Sequence, residues 1–173
     1  MKKLLLLTVF CLTFLPAAAN PAGQLKVSLW GPAALASPGN IHEVSGFDFG
    51  LLGTTTERVD GFQLGILYAH TPIKLSGLSI SLFTHARDTD GMQLGAFTLT
   101  ERDMWGVQMG AINITQGSVR GVQLGAVNYA WYIRGVQLGI VNYAYRLKGV
   151  QLGLINIAHN GYVPAMIILN ARF

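Results

Sequence analysis

Cysteine is almost absent from this chain. The only one is Cys11, so disulfides and cysteine metal sites are excluded everywhere after it. Cys11 is preceded by Thr8-Val9-Phe10, not by a lipoprotein-type Leu-(Ala/Ser)-(Gly/Ala) context, and no lipid anchor is expected there. Charge is scarce as well. Asp, Glu, Lys and Arg make up 12% of the residues, against about a quarter in ordinary soluble domains. The formal net charge of +4 falls to +2 once Lys2 and Lys3 are set aside, which gives no support to a nucleic-acid partner. Long apolar runs are missing too. The longest, Leu4 to Leu15, is about a dozen residues, where a spanning helix needs about 20.

What is present begins with a leader. Lys2 and Lys3 form a short basic region, the apolar run follows, and Ala17-Ala18-Ala19 supplies a small-residue cleavage site. This is the order of a secretory signal peptide over residues 1–19, with the mature chain starting at Asn20. The remainder, residues 20–173, suits a single domain. Hydrophobic residues reach 51% and the mean hydropathy is +0.41. Without a spanning helix, that calls for a large buried core or a lipid-facing surface.

Aligning on glycine shows eight copies of one unit. They start at Gly46, Gly61, Gly77, Gly91, Gly106, Gly121, Gly135 and Gly149, at spacings of 14 to 16 residues. The consensus is G-φ-Q-φ-G-φ-φ-N-φ-A, where φ is apolar, followed by a short variable stretch. A helix is excluded. The apolar positions scatter around a helical wheel, and two glycines per unit would cost about 15 kcal/mol over the array. As strands the pattern is coherent. Counting the apolar residue two places before each glycine (Val59, Leu75, Met104, Val119, Ile133 and Leu147), each unit offers an extended segment of about twelve residues. Flanking strands are expected near residues 24–30 and 165–173.

Charges avoid these segments. Within the eight ten-residue cores only Asp48 is charged, and the rest gather between cores, as in Glu57-Arg58-Val59-Asp60 and Glu101-Arg102-Asp103. Trp105, Tyr129, Trp131, Tyr132, Tyr143 and Tyr145 also lie near segment ends. Apolar bands flanked by aromatics and charged turns are the pattern of an outer-membrane β-barrel. Eight units plus two flanking strands make an even ten, and the chain ends in AMIILNARF with a terminal aromatic. The expectation is therefore an all-β, antiparallel barrel of about ten strands.

An alternative stays open. Near-identical units give no stagger between strands, yet a barrel requires shear. Gln and Asn at fixed positions suit in-register stacking in a β-solenoid instead. In that version each coil is expected to bury Val, Leu and the later apolar pair, and to expose Gln, Ala and Asn.

GVQLGAVNYA, GVQLGIVNYA and GVQLGLINIA, with the closing NGYVPAMIILNARF, resemble a family of bacterial surface-repeat proteins built from tandem GVQLGLVN-type units. Leptospiral surface lipoproteins are among its members. The resemblance covers Gly46 to Phe173 and implies export and a surface location. It implies no activity and no ligand residues. Unlike the lipoprotein members, this chain lacks a lipobox cysteine.

Chemistry-bearing residues give weak signals. His42, His70, His85 and His159 have no metal-ligand spacing, although His70 and His85 end successive units and can approach each other. Asp88 with Asp90, and Glu101 with Asp103, lie in turns where solvated charge is the default. The G-x-x-x-G in GVQLG lacks the long apolar helix that reading needs, and GFDFGLLG lacks nucleotide-loop spacing. Asn113-Ile114-Thr115 matches a glycosylation sequon without consequence in a bacterial context. No serine or threonine stands in a nucleophile motif. The recurring Gln63, Gln93, Gln108, Gln123, Gln137 and Gln151 are read as satisfying one another within the sheet, the functional alternative being a polar lumen or binding ladder. No catalytic, cofactor or metal residue is expected. The function expected is a non-enzymatic outer-membrane or cell-surface protein of a Gram-negative bacterium, structural or adhesive. Its expected partners are outer-membrane lipid and, during biogenesis, the barrel assembly machinery. The alternative is a surface or periplasmic β-solenoid acting as a binding module.

Overall fold

The computed structural model describes residues 22–31, 33–36 and 40–173. The leader over residues 1–19, with Cys11, lies outside the described residues. Thirteen strands follow one another and, among the described residues, no helix. They are β1 (Ala22–Trp30), β2 (Ala33–Ala36), β3 (Asn40–Gly50), β4 (Gly53–Thr55), β5 (Arg58–Gly65), β6 (Tyr68–Ile80) and β7 (Phe83–Leu94). Then come β8 (Phe97–Thr100), β9 (Met104–Met109), β10 (Ile112–Leu124), β11 (Val127–Leu138), β12 (Val141–Ala158) and β13 (Ala165–Arg172).

From β3 onward each segment pairs in parallel with the equivalent segment of the next repeat. Gly46 pairs with Gly61, Gly61 with Gly77, and so on through Gly91, Gly106, Gly121 and Gly135 to Gly149. One repeat is one coil, and the chain is a β-solenoid. The antiparallel ten-strand barrel is not formed. Closure needs a stagger from strand to strand, but here like pairs with like and the stagger is zero. The segment of about twelve residues expected to cross a bilayer is also broken, because the chain turns at the repeat's second glycine: β10 ends at Leu124 and β11 begins at Val127. A second corner absorbs the variation in repeat length. The pairing of β6 with β7 skips between Thr71 and Lys74, around Pro72, and that of β10 with β11 skips between Thr115 and Ser118. A proline fits there because a corner needs no ladder donor. The parallel stack is capped at both ends by antiparallel strands, β2 on β1 and β13 on β12.

The inside of the coils reverses the solenoid expectation. The apolar residue two places before the glycine is buried, but so are Gln63, Gln93, Gln108, Gln123, Gln137 and Gln151, and Asn113, Asn128, Asn142 and Asn156. Ala130, Ala144 and Ala158 complete the interior, while Val and Leu of GVQLG face outward. Burying an amide is costly unless it is hydrogen-bonded. In-register stacking meets that condition. Gln108, Gln123, Gln137 and Gln151 each donate through Nε2 to the Oε1 of the glutamine one coil earlier, at 2.7 to 2.9 Å. The asparagines form a second row running the other way, Asn113 to Asn128 to Asn142 to Asn156, each at 2.8 Å. The two rows therefore oppose their side-chain dipoles.

Glycine at the repeat start is a steric requirement. The eight residues have φ between +123° and +150°. From Gly61 onward, an added Cβ would lie 1.9 to 2.3 Å from the carbonyl oxygen of the glycine one coil below. No L side chain fits that column.

Candidate interaction surface

With the amides inside, the outside of the coils becomes the place where chemistry can occur. Its perimeter divides into unlike edges. At the corner after the second glycine stand Leu51 and Leu52, Ile66 and Leu67, Leu82 and Phe83, Phe97, Val127, Ile140, and Leu154 and Ile155, all exposed. Ile140 is 53% and Leu154 64% accessible. No charged residue interrupts this edge. The two broad faces that join it are also apolar, with Val122, Leu124, Val136 and Leu138 on one and Leu99, Ile114, Tyr129 and Tyr143 on the other, all half-buried.

The opposite corner carries the charge together with Trp105, Trp131 and Tyr145. Trp131 stacks there on Tyr145 at 4.2 Å between ring centres, and on the adjoining face Tyr129 stacks on Tyr143 at 5.2 Å. Arg120 lies 4.5 Å over the Trp105 ring. Charge sign separates along the stack. Every acidic residue of the chain precedes Met104, whereas Arg120, Arg134, Arg146, Lys148 and Arg172 follow it. The contacts between basic side chains and carboxylates found among the described residues are in the earlier coils: the ion pairs Arg58–Glu43, Lys74–Asp90 and Arg102–Asp88, and the contacts His42–Glu57 and His85–Glu101. The later cations share a column, since Arg120 pairs in register with Arg134, and Arg134 with Lys148. A groove of about 570 Å³ near the C-terminal cap is lined by Trp131, Tyr132, Arg146, Lys148, Arg172 and Phe173, among others.

The residues singled out in the sequence fall into three groups. His70 and His85 do meet, with rings stacked at 4.5 Å. His85 Nε2 lies 2.9 Å from Glu101. Burial first, and His85 second, push the His70 imidazole below its ordinary range, with the Glu101 charge opposing them. His42 and His159 stay apart from that pair, His159 Nε2 lying 2.8 Å from the Tyr143 hydroxyl. The aspartates act locally: Asp88 accepts from the Asp103 backbone N–H at 3.2 Å, and Asp103 from that of Ser118 at 3.3 Å. Asp90 pairs with Lys74 and Glu101 with His85, while Asp88 and Asp90 line one groove of about 350 Å³ with Lys74, Asp103 and Trp105. Among the described residues, no group of three or more His, Cys, Asp or Glu is placed to hold a metal ion. The glutamines form the internal row described above.

One polar site escaped the sequence reading. Near the N-terminal end, Asp48 occupies the glutamine column and accepts from Thr54 at 2.7 Å, Thr56 at 2.6 Å and Gln63 at 3.0 Å. Lys26, fully buried, donates to Thr56 Oγ1 at 2.8 Å and to the Thr55 carbonyl at 2.6 Å. Burial pushes its ammonium below the usual lysine range, and the Asp48 charge opposes that shift. The signal was visible: Asp48 was the one charged residue in the repeat cores. Lys26, linked to it through the Thr56 hydroxyl, stands 22 positions earlier in β1, outside the repeat.

These features define the protein as a capped β-solenoid with a polar, hydrogen-bonded interior and an apolar exterior. Comparison with known families, curated proteins and solved structures returned no match.

Proposed function

We propose that this chain is an exported, non-enzymatic β-solenoid that works as an interaction module at the cell surface, outer membrane or periplasm. The apolar outside of its coils is the working surface. One observation carries the reading: an uninterrupted apolar edge, continued onto both faces, on a molecule whose polar side chains are largely spent inside. Solitary exposed apolar residues are ordinary on any protein, but contiguous apolar patches this extensive mark interaction sites. The leader supports export. The barrel assembly machinery loses the closed barrel on which that expectation rested. Expression with the native leader in a Gram-negative host tests the reading. Processing before Asn20 and recovery of the mature chain in the envelope fraction are expected, with an apolar-surface dye bound by the folded protein. An unprocessed cytoplasmic chain, or a folded chain that ignores the dye, would overturn it.

A further inference from the structure

Around the perimeter of a C-terminal coil, side-chain polarity changes in a fixed order. The corner is aliphatic (Ile140, Leu154), the faces are aliphatic to aromatic (Val136, Tyr143), and the far corner holds Trp131, Tyr145 and the cations. Aliphatic, then aromatic, then cationic is the order met on passing from hydrocarbon through the interface to the headgroups of a membrane. Distances agree with that order. From the aliphatic corner to the cation column is six residues, as from Lys148 to Leu154, or about 20 Å of extended chain. One leaflet of hydrocarbon is about 15 Å thick.

The lateral surface also meets the condition lipid imposes on a backbone. Coil-to-coil hydrogen bonds join the peptide groups along the stack, including those at the corners, such as Val127 N–H to Ala111 O at 3.0 Å. Hydrocarbon would therefore meet paired backbone along this edge. In the later coils the amide rows need no water, because each row bonds to itself. A second copy of the chain is a poorer fit: a flat partner covers one face, whereas the apolar surface wraps an edge and both faces. We infer that the solenoid lies edge-on in a single lipid leaflet, aliphatic corner down, and that the cation column of the C-terminal coils contacts anionic lipid headgroups.

The column supplies the preference for charge. Arg120, Arg134 and Lys148 stack at successive coils, one strand spacing of about 4.8 Å apart, with no Asp or Glu side chain after Asp103 to neutralise them. Like charges in register repel, and a row of phosphate-bearing headgroups relieves that repulsion.

The inference rests on the apolar outside being the working surface, and the test separates the two. Mature protein is floated with vesicles of phosphatidylcholine alone or with phosphatidylglycerol added. It should float with both, more strongly with the anionic vesicles, and with a blue shift of tryptophan emission. The variant Ile140→Asn/Leu154→Asn should lose roughly tenfold in binding to both vesicles while keeping its β circular dichroism. The variant Arg134→Gln/Lys148→Gln should lose about fivefold per cation on anionic vesicles only. Wild-type protein left at the bottom of both gradients, or an edge variant that floats like wild type, overturns lipid docking. If that non-floating protein is a dimer in solution, and its Leu154→Cys variant is trapped as a disulfide-linked dimer, the surface reading survives with a second copy as partner. A monomer that neither floats nor binds the dye removes both.

Discussion

From Gly91 onward the glutamine column reads Gln93, Gln108, Gln123, Gln137 and Gln151, each bonded to the next, and Asn170 of the cap continues it at 3.2 Å. In the earlier coils the same column reads Asp48, Gln63 and Ser79. Ser79 bonds to Gln63 at 3.1 Å but is too short to accept from Gln93, whose Nε2 is buried without a partner. The neighbouring column behaves alike: asparagines in the later coils, Thr84 with an unpartnered hydroxyl in the earlier ones. Outside, the early coils exchange ion pairs between neighbours, while the late coils carry unopposed cations. One backbone template thus tolerates two fillings. The regular one saturates its hydrogen bonds internally; the irregular one leaves gaps and holds a buried charge.

What both halves share is the glycine column, and breaking it should have the largest effect. Gly135→Ala and Gly61→Ala each drive a Cβ into a carbonyl oxygen, at 1.9 and 2.3 Å. Each should cost about 3–5 kcal/mol from overpacking and backbone strain. Urea denaturation reads it, and the two costs should be similar. A loss confined to one half would show that the stack is not one template.

The amide row is where the halves should differ. Gln123→Leu removes the acceptor of Gln137 and the donor to Gln108 inside the saturated row, and should cost about 2 kcal/mol. Ser79→Ala, at the existing gap, should cost less than about 1 kcal/mol. Equal costs would mean that the row contributes nothing beyond local packing.

Filling the gap is the converse experiment. Ser79→Gln gives Gln93 Nε2 an acceptor and joins the two parts of the column, with an expected gain of about 1 kcal/mol in thermal or urea stability. A destabilised variant would indicate that the early coils are too tight for the regular filling.

The smallest effect is a pH dependence confined to the early coils. His70 has its pKa pushed down in the fold, so it binds fewer protons folded than unfolded. Its contribution is full above about pH 6.5 and is lost as the pH falls through the depressed value. The urea midpoint should fall between pH 7 and pH 5, and fall less in His70→Asn. An identical slope in the variant would remove His70 as the source.

The repeat length and the all-β class were legible because they depend on local chemistry. Glycine spacing marks the units, the charged clusters mark the variable stretch between them, and two glycines per unit exclude a helix, whereas the corner at the second glycine was read as part of one unbroken strand. The barrel expectation arose because uncharged strand middles and flanking aromatics describe a lipid-facing surface whether the sheet closes or stacks. The stagger that separates the two is a property of pairing. Lys26 with Asp48 was invisible for a related reason, since nothing in β1 repeats.

The sequence by itself determined the period, the strand character, the alternation of polar and apolar residues, and the need for glycine where coils touch. It did not determine which alternate set faces inward, because both sets are uncharged and alternation is symmetric. Tertiary structure decided that by in-register stacking. A carboxamide placed above its own copy at the strand spacing of about 4.8 Å finds a donor and an acceptor without water. Gln and Asn were thereby buried at little cost, beside the apolar residue that precedes each repeat, and the Val and Leu of GVQLG were left facing outward.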